Sequence, residues 1–145
     1  MRRRSAAGPW ITEAVFTKDH IMKKTLLSAV FTLALGAAAQ AATIVEVDAG
    51  GAKVMASAET GMTLYTFRKD AENVSNCNAD CAVKWPPFIA EEDATAEGGL
   101  SVIERNDGSY QWALNGKPLY FWMGDAAKGD ASGDGVGGVW DAVRP

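Results

Sequence analysis

The polar residues best suited to chemistry are two tyrosine–aspartate pairs with the same spacing. Four residues separate Tyr65 from Asp70, and four separate Tyr120 from Asp125. A tyrosine at the end of a strand can bury its ring while its hydroxyl donates a hydrogen bond to a carboxylate in the following turn. Tyrosine with aspartate could also begin a catalytic site, but no nucleophile recurs beside either pair. Because the pair is duplicated within a short chain, we predict a structural role for both copies.

The only two cysteines, Cys77 and Cys81, are predicted to form a disulfide. An even number of cysteines in an exported protein favours a bridge, and this spacing on a helical turn lies within the bridgeable range. Closing so short a loop should stabilise the fold by roughly 2 kcal/mol. Thiol–disulfide exchange is the alternative, although the spacing is not Cys-x-x-Cys and neither Lys nor His lies between the cysteines.

A glycine-rich stretch over residues 124–138 carries Asp125, Asp130 and Asp134. Carboxylates on a flexible loop are ligands that suit Ca²⁺. However, the spacing matches neither an EF-hand nor a calcium-binding β-roll repeat, and Gly and Asp are also common in ordinary turns. The three aspartates are therefore secondary candidates for metal ligands, and no cofactor is predicted.

Charge and histidine content narrow the possible functions. Residues 42–145 contain eight Lys/Arg and sixteen Asp/Glu, a net charge near −8 that argues against nucleic-acid binding. The only histidine, His20, precedes this segment. Residues 42–145 therefore lack the commonest general base and the commonest transition-metal ligand. We predict that the protein is not an enzyme.

Residues 22–41 have the pattern of a signal peptide. Met22-Lys-Lys is a positively charged start, residues 25–38 are mainly apolar, and Ala39-Gln-Ala41 matches the pattern that signal peptidase cleaves. We predict cleavage after Ala41, a periplasmic or secreted location, and a non-native upstream extension over residues 1–21. A transmembrane anchor is the alternative, but the apolar stretch is short for a span. No cysteine lies at the cleavage point, so no lipid anchor is indicated.

The tyrosine–aspartate pairs belong to a longer internal repeat with an offset of 55 residues. Gly61-Met-Thr-Leu-Tyr-Thr-Phe-Arg-Lys-Asp70 returns as Gly116-Lys-Pro-Leu-Tyr-Phe-Trp-Met-Gly-Asp125. The same ungapped offset carries Ala58 onto Ala113 and the closing Trp85 onto Trp140. Such repetition indicates one supersecondary unit used twice in one core. We predict a single domain over residues 42–145, with repeats at about 45–90 and 100–145.

Turn and strand signals predict an all-β or β-dominated fold. Residues 110–114 and 118–122 flank Asn115-Gly116, the strongest short hairpin signal, and residues 53–57 and 63–67 flank a turn at Thr60-Gly61. Further predicted elements are strands over 44–47 and 100–105, a short helical turn over 77–84 that ends before Pro86, and an exposed acidic loop over 91–99. The expected architecture is a small antiparallel meander of two tandem hairpin repeats, with the helical turn near the cysteine pair.

The tryptophans are expected to fill the core and the contact between the repeats, because each ring buries a large area. These residues are Trp85, Trp112, Trp122 and Trp140. On one strand Tyr120 and Trp122 share a face, and Phe121 points the other way. The alternative is an exposed stacking or protein-binding surface made of several adjacent rings.

Together these motifs resemble a bacterial family, the secreted repeat of unknown function, a predicted lipoprotein family with tandem Tyr-x4-Asp motifs. The resemblance rests on Gly-x-x-Leu-Tyr-x-(Phe/Trp)-x-x-Asp in both repeats, on Cys77-x3-Cys81-Ala-x-x-Trp85-Pro-Pro, and on the glycine-rich run before Trp140. It covers residues 45–145 and implies an exported envelope protein with no inherited catalytic residues. The chain departs from many relatives because it lacks a lipobox cysteine.

We therefore expect an exported cell-envelope domain that acts as an interaction or structural module. Its partner would be an unidentified envelope protein or surface, with no nucleic acid and no membrane span after cleavage. The alternatives are Ca²⁺ binding through residues 124–138 and, less favoured, thiol–disulfide exchange by Cys77 and Cys81.

Overall fold

The computed structural model describes residues 43–145, and it confirms a strand-dominated fold. The segments predicted as an upstream extension (1–21) and a signal peptide (22–41) lie outside the described residues. None of the helices within residues 43–145 has the length and apolar character needed to cross a membrane. The elements are β1 (Ile44–Ala49), β2 (Ala52–Ser57), β3 (Tyr65–Phe67), α1 (Asp80–Lys84), β4 (Leu100–Glu104), β5 (Tyr110–Leu114), β6 (Lys117–Pro118), a 3₁₀ helix (Val136–Gly138) and β7 (Trp140–Ala142).

In the described part of the chain, the strands form three small antiparallel sheets. β1 pairs with β2, and β4 pairs with β5, which in turn pairs with β6. The third sheet joins the repeats, because β3 of the first repeat pairs with β7 of the second, with Phe67 opposite Trp140. Both repeats therefore contribute a strand to one sheet, and they cannot separate without breaking it.

The two predicted hairpins differ in how far their strands pair. The hairpin predicted at Asn115-Gly116 is present, and both residues have positive φ, 49° and 78°, which is type I′ geometry. The predicted arm over 118–122 is wrong beyond Pro118, because only Lys117–Pro118 pairs with β5. In the first repeat the pairing is reduced to a single bridge between Ala56 and Thr63. β3 leaves β2 after this bridge because its backbone pairs with β7.

The first turn is also longer than the second by two residues. Equivalent backbone hydrogen bonds run from Leu64 to the carbonyl of Met55 (2.9 Å) and from Leu119 to the carbonyl of Trp112 (2.9 Å). Leu64 and Leu119 keep the offset of 55, but Met55 and Trp112 are 57 apart. The predicted ungapped equivalence of Ala58 with Ala113 is therefore wrong.

Neighbouring residues of each repeat supply two different core clusters. Because successive side chains of a strand alternate in direction, Leu64 and Leu119 enter one cluster, and Tyr65 and Tyr120 enter the other. The tyrosine cluster is built from Val54, Tyr65, Cys77, Trp85, Tyr120, Trp140 and Ala142. The leucine cluster is built from Leu64, Phe88, Ala90, Trp112 and Leu119.

Candidate functional site at the junction of the repeats

The two motif tyrosines face each other at the centre of the junction. The backbone N–H of Tyr65 donates to the carbonyl of Tyr120 (2.8 Å), and the N–H of Tyr120 donates to the carbonyl of Tyr65 (2.9 Å). Both residues are fully buried. Reciprocal contact between equivalent residues is the signature of a two-fold, isologous interface, and here it lies within one chain.

Each tyrosine hydroxyl bonds the aspartate of the other repeat. Tyr65 donates to Oδ2 of Asp125 at 2.6 Å, and Tyr120 donates to Oδ2 of Asp70 at 2.8 Å. The expectation that each hydroxyl would bond the carboxylate in its own following turn is therefore wrong. The backbones of the two tyrosines pair at the junction, and each hydroxyl reaches the aspartate of the opposite repeat.

Each of these aspartates also organises the loop that follows it. Oδ1 of Asp70 accepts the N–H of Asn76 at 2.7 Å. Oδ1 of Asp125 accepts both the N–H and the hydroxyl of Ser132, at 2.9 and 2.7 Å. One carboxylate oxygen thus holds its own loop while the other holds the tyrosine of the partner repeat.

A buried arginine that sequence reasoning missed supports the Tyr120 end of the junction. Arg105 is 4% exposed and donates to the Ser75 hydroxyl at 2.8 Å. Ser75 lies 2.7 Å from the Tyr120 hydroxyl. Since the single phenolic proton is directed to Asp70, Ser75 is the donor in this contact, and an ordered chain runs from the cation to the carboxylate.

Arg105 makes further bonds within the first repeat and the adjoining strand. It donates to Oε1 of Gln111 at 2.6 Å and to the carbonyl of Cys77 at 2.8 Å. The available sequence signal was strand alternation: Arg105 has the same phase as the buried Ile103, whereas Glu104 faces solvent. A charged side chain that strand alternation directs into the core must be paired there, so it indicates a buried hydrogen-bond network.

Burial changes the protonation behaviour of these groups. Burial, together with the hydrogen bond to a carboxylate, raises the pKa of Tyr65 and of Tyr120 far above the usual phenol range. Burial also raises the pKa of Asp70, against the opposing effects of the Asn76 N–H, the Tyr120 hydroxyl and the Arg105 charge. Both phenols therefore act as hydrogen-bond donors at neutral pH and do not act as bases.

The tryptophans that close the repeats stack on each other in the same junction. The rings of Trp85 and Trp140 are 3.8 Å apart and nearly parallel, at 5°. Trp122 stacks on the outer face of Trp85 at 4.2 Å, and Phe67 stacks on Trp140 at 4.3 Å. We call these four rings the aromatic column. Trp85, Trp140 and the more distant Trp112 are buried, as predicted, whereas Trp122 is half-buried.

The predicted disulfide between Cys77 and Cys81 is present, with a Cα–Cα distance of 5.2 Å. The Cys77 end is fully buried against the tyrosine cluster. The bridge therefore fixes the first loop directly beneath Tyr120 and Arg105, since Arg105 also bonds the Cys77 carbonyl.

The second loop, which lacks a disulfide, is held by its own aspartates. Oδ2 of Asp130 accepts the N–H groups of Ala126 and Ala127 at 2.8 and 2.9 Å. Asp134 accepts the Ala142 N–H and pairs with Arg144 at 2.7 Å, which lowers the pKa of Asp134. Within residues 43–145, no group of three His, Cys, Asp or Glu side chains is arranged to hold a metal ion. The candidate ligands instead bond protein groups: Asp130 bonds its own loop, Asp125 bonds its loop and Tyr65, and Asp134 bonds the C-terminal residues Ala142 and Arg144.

Two clefts flank the aromatic column at equivalent places in the repeats. The first cleft has a volume of about 470 Å³ and a charged lining. The second cleft has a volume of about 290 Å³ and a mainly apolar lining. The first is lined by Thr66, Phe67, Arg68, Asp70, Ala71, Glu72, Asn115, Gly116, Lys117 and Asp141. The second is lined by Thr60, Met62, Thr63, Phe121, Trp122, Met123 and Asp125.

Comparison with known proteins gives one family match. The family described as secreted repeat of unknown function matches twice, at residues 45–88 and 101–144. These two segments agree with the repeats defined by the reciprocal contacts at the junction. No significant match is found among curated proteins or among solved structures.

Proposed function

Because the chain belongs to the family of secreted repeats of unknown function, we propose that it is an exported, non-enzymatic module of the cell envelope that binds another protein. We place it in the periplasm or outside the cell, after cleavage behind Ala41. The family description supports secretion, and the reading of residues 22–41 as a signal peptide supports the route.

One observation carries the non-enzymatic assignment. Both motif tyrosines and both motif aspartates are engaged in bonds between the repeats. A general acid or base must reach a substrate, whereas the two tyrosines are fully buried. The motif therefore serves the rigidity of the module, and recognition is left to the surface around it.

The first cleft is the surface that we propose for recognition. At its edge Arg68 forms a two-pronged ion pair with Asp141, with both N–O distances 2.6 Å, and Glu72 and Lys117 line the same wall. Closely spaced charges of both signs resemble the polar rim of a protein interface. The partner that fits is a polypeptide segment that carries both charge signs itself.

Photo-crosslinking in the native envelope tests this proposal on the full exported chain. A photoreactive residue replaces Lys117 in the first cleft or, as a control, the exposed Glu104 on β4. We expect one protein adduct from position 117, none from position 104, and an undiminished adduct when Tyr65→Phe or Tyr120→Phe is added. Equal labelling from both positions, or loss of the adduct with either phenylalanine variant in its folded form, would overturn the proposal.

A further inference from the structure

The second cleft contains an exposed methionine that is not part of either core cluster. Met123 is 66% exposed at the cleft wall, next to Trp122 of the aromatic column. Met62, from the turn before β3, lines the same cleft. Two thioethers from distant parts of the sequence are thus brought to one small apolar depression.

These two methionines replace two cations of the first cleft. The offset of 55 carries Lys117 onto Met62 and Arg68 onto Met123. Backbone hydrogen bonds confirm that Arg68 and Met123 are equivalent. The N–H of Arg68 donates to the Val139 carbonyl (2.8 Å), and the N–H of Met123 donates to the Lys84 carbonyl (3.1 Å). The two acceptors, Lys84 and Val139, are also 55 residues apart. Both positive side chains of one cleft have become neutral sulfur donors in the other.

The side chains that line the second cleft favour a soft cation. Thioether sulfur prefers Cu(I) among biological metal ions, whereas Ca²⁺ requires six to eight oxygen ligands. The face of an indole ring attracts a cation placed above it. Trp122 is fixed by stacking on Trp85 at 4.2 Å, and its ring lines the same cleft as the two methionines. The carboxylate of Asp125 in the same lining favours positive charge.

From this combination we propose that the second cleft is a binding site for a soft monovalent cation, Cu(I), held by the thioethers of Met62 and Met123 beside the indole of Trp122. The proposal does not depend on the protein partner assigned to the first cleft. Binding leaves the Tyr65–Asp125 bond in place, because the metal is held by sulfur.

A titration of the purified full chain after export tests the site. Cu(I) is supplied without oxygen from a coloured Cu(I) chelator, and Ag(I) is used in parallel as an analogue that does not change oxidation state. We expect one equivalent of either ion to bind and to quench tryptophan emission. Met62→Leu or Met123→Leu should weaken binding at least tenfold, and the double variant should abolish it. Leucine keeps the side-chain volume, so these variants should fold.

Met55→Leu is the matched control, because Met55 lies on β2 and does not line the cleft. Its affinity should equal that of the unaltered chain, and Trp122→Leu should remove most of the quenching. Failure to take metal from the chelator, or unchanged affinity in the Met62→Leu/Met123→Leu variant, would overturn the proposal. Because the titration uses no partner, such a failure is distinct from a negative crosslinking result.

Discussion

Tyr65 donates its phenolic proton to Asp125 at 2.6 Å, across the boundary between the repeats. Tyr120 returns the same interaction to Asp70 at 2.8 Å. Each repeat thus supplies the donor of one bond and the acceptor of the other. Since a buried hydroxyl without a partner is costly, one repeat alone would leave its tyrosine unsatisfied. The Tyr-x4-Asp motif therefore links two repeats, and both copies are needed to satisfy its hydrogen bonds.

Removing the hydroxyl of Tyr65 or of Tyr120 should lower stability by different amounts, because the two hydroxyls have different hydrogen-bond partners. We expect Tyr65→Phe to lower the free energy of unfolding by about 1.5–3 kcal/mol, the range for a hydrogen bond to a charged group. Tyr120→Phe should cost more, because it removes the 2.7 Å contact with Ser75 and breaks the chain from Arg105 to Asp70, whereas the second partner of the Tyr65 hydroxyl is only the longer Gly133 N–H bond (3.3 Å). Urea unfolding followed by tryptophan fluorescence measures both. A larger loss for Tyr65→Phe would contradict the asymmetry.

Arg105 should tolerate substitution far less than an arginine at the surface. Arg105→Lys cannot reproduce bonds to Ser75, Gln111 and the Cys77 carbonyl together, so we expect a loss of about 2 kcal/mol or more. Arg68→Lys is the matched control, because Arg68 is exposed and a surface ion pair contributes little to stability. Thermal unfolding compares the two, and equal shifts would show that the buried network contributes little.

Several features of this fold could be predicted from the sequence because they are local. Asn115-Gly116 dictates its own turn, the spacing of Cys77 and Cys81 permits only a short bridge, and the alternation of Tyr120, Phe121 and Trp122 assigns their faces. Each of these features depends on residues that are close along the chain.

The sequence could not show that each tyrosine bonds the aspartate of the other repeat, because both repeats have the same Tyr-x4-Asp spacing. The spacing of Tyr65 to Asp70 is the same as that of Tyr120 to Asp125, so the sequence is compatible with pairing inside a repeat or across. The choice depends on β3 pairing with β7, a contact between residues about 75 apart. Strand alternation indicates that Arg105 is buried, but its acceptor Ser75 could not be predicted, because it lies 30 residues earlier.

Gly133 is predicted to be required by close packing against the aromatic column. A Cβ atom there would lie 2.8 Å from Trp85 and 2.9 Å from Tyr65, although the φ of Gly133 is not positive. We expect Gly133→Ala to lower stability by about 1–3 kcal/mol through overpacking and to change the near-ultraviolet circular dichroism of the tryptophans.

Gly108→Ala is the control for backbone strain alone. Gly108 has a φ of 80°, and a Cβ atom there would meet no atom within 4 Å. This variant should lose about 1–2 kcal/mol with an unchanged aromatic spectrum. An unchanged spectrum in Gly133→Ala would contradict the predicted contact.

The pH dependence of stability should separate Asp70 from Asp141. Burial raises the pKa of Asp70, so its contribution to stability is largest at low pH and is lost as pH rises through the folded-state pKa. The Arg68 guanidinium lowers the pKa of Asp141, so that contribution is present above the unfolded pKa, near 4, and is lost on acidification.

Asp70→Asn should therefore lose stability more steeply than the unaltered chain as pH falls from about 7 to 3, and Asp141→Asn less steeply. Urea midpoints across this range provide the measurement. Parallel curves for Asp70→Asn and the unaltered chain would show that burial does not raise the pKa of Asp70.

A double-mutant cycle tests the central claim, that the motif joins one repeat to the other. Tyr65→Phe is combined with Asp125→Ala in one cycle and with Asp70→Ala in a second cycle, and unfolding free energies are measured for all variants. We predict a coupling energy of about 1–3 kcal/mol between Tyr65 and Asp125, and close to zero between Tyr65 and Asp70. Coupling between Tyr65 and Asp70, with none to Asp125, would contradict the account.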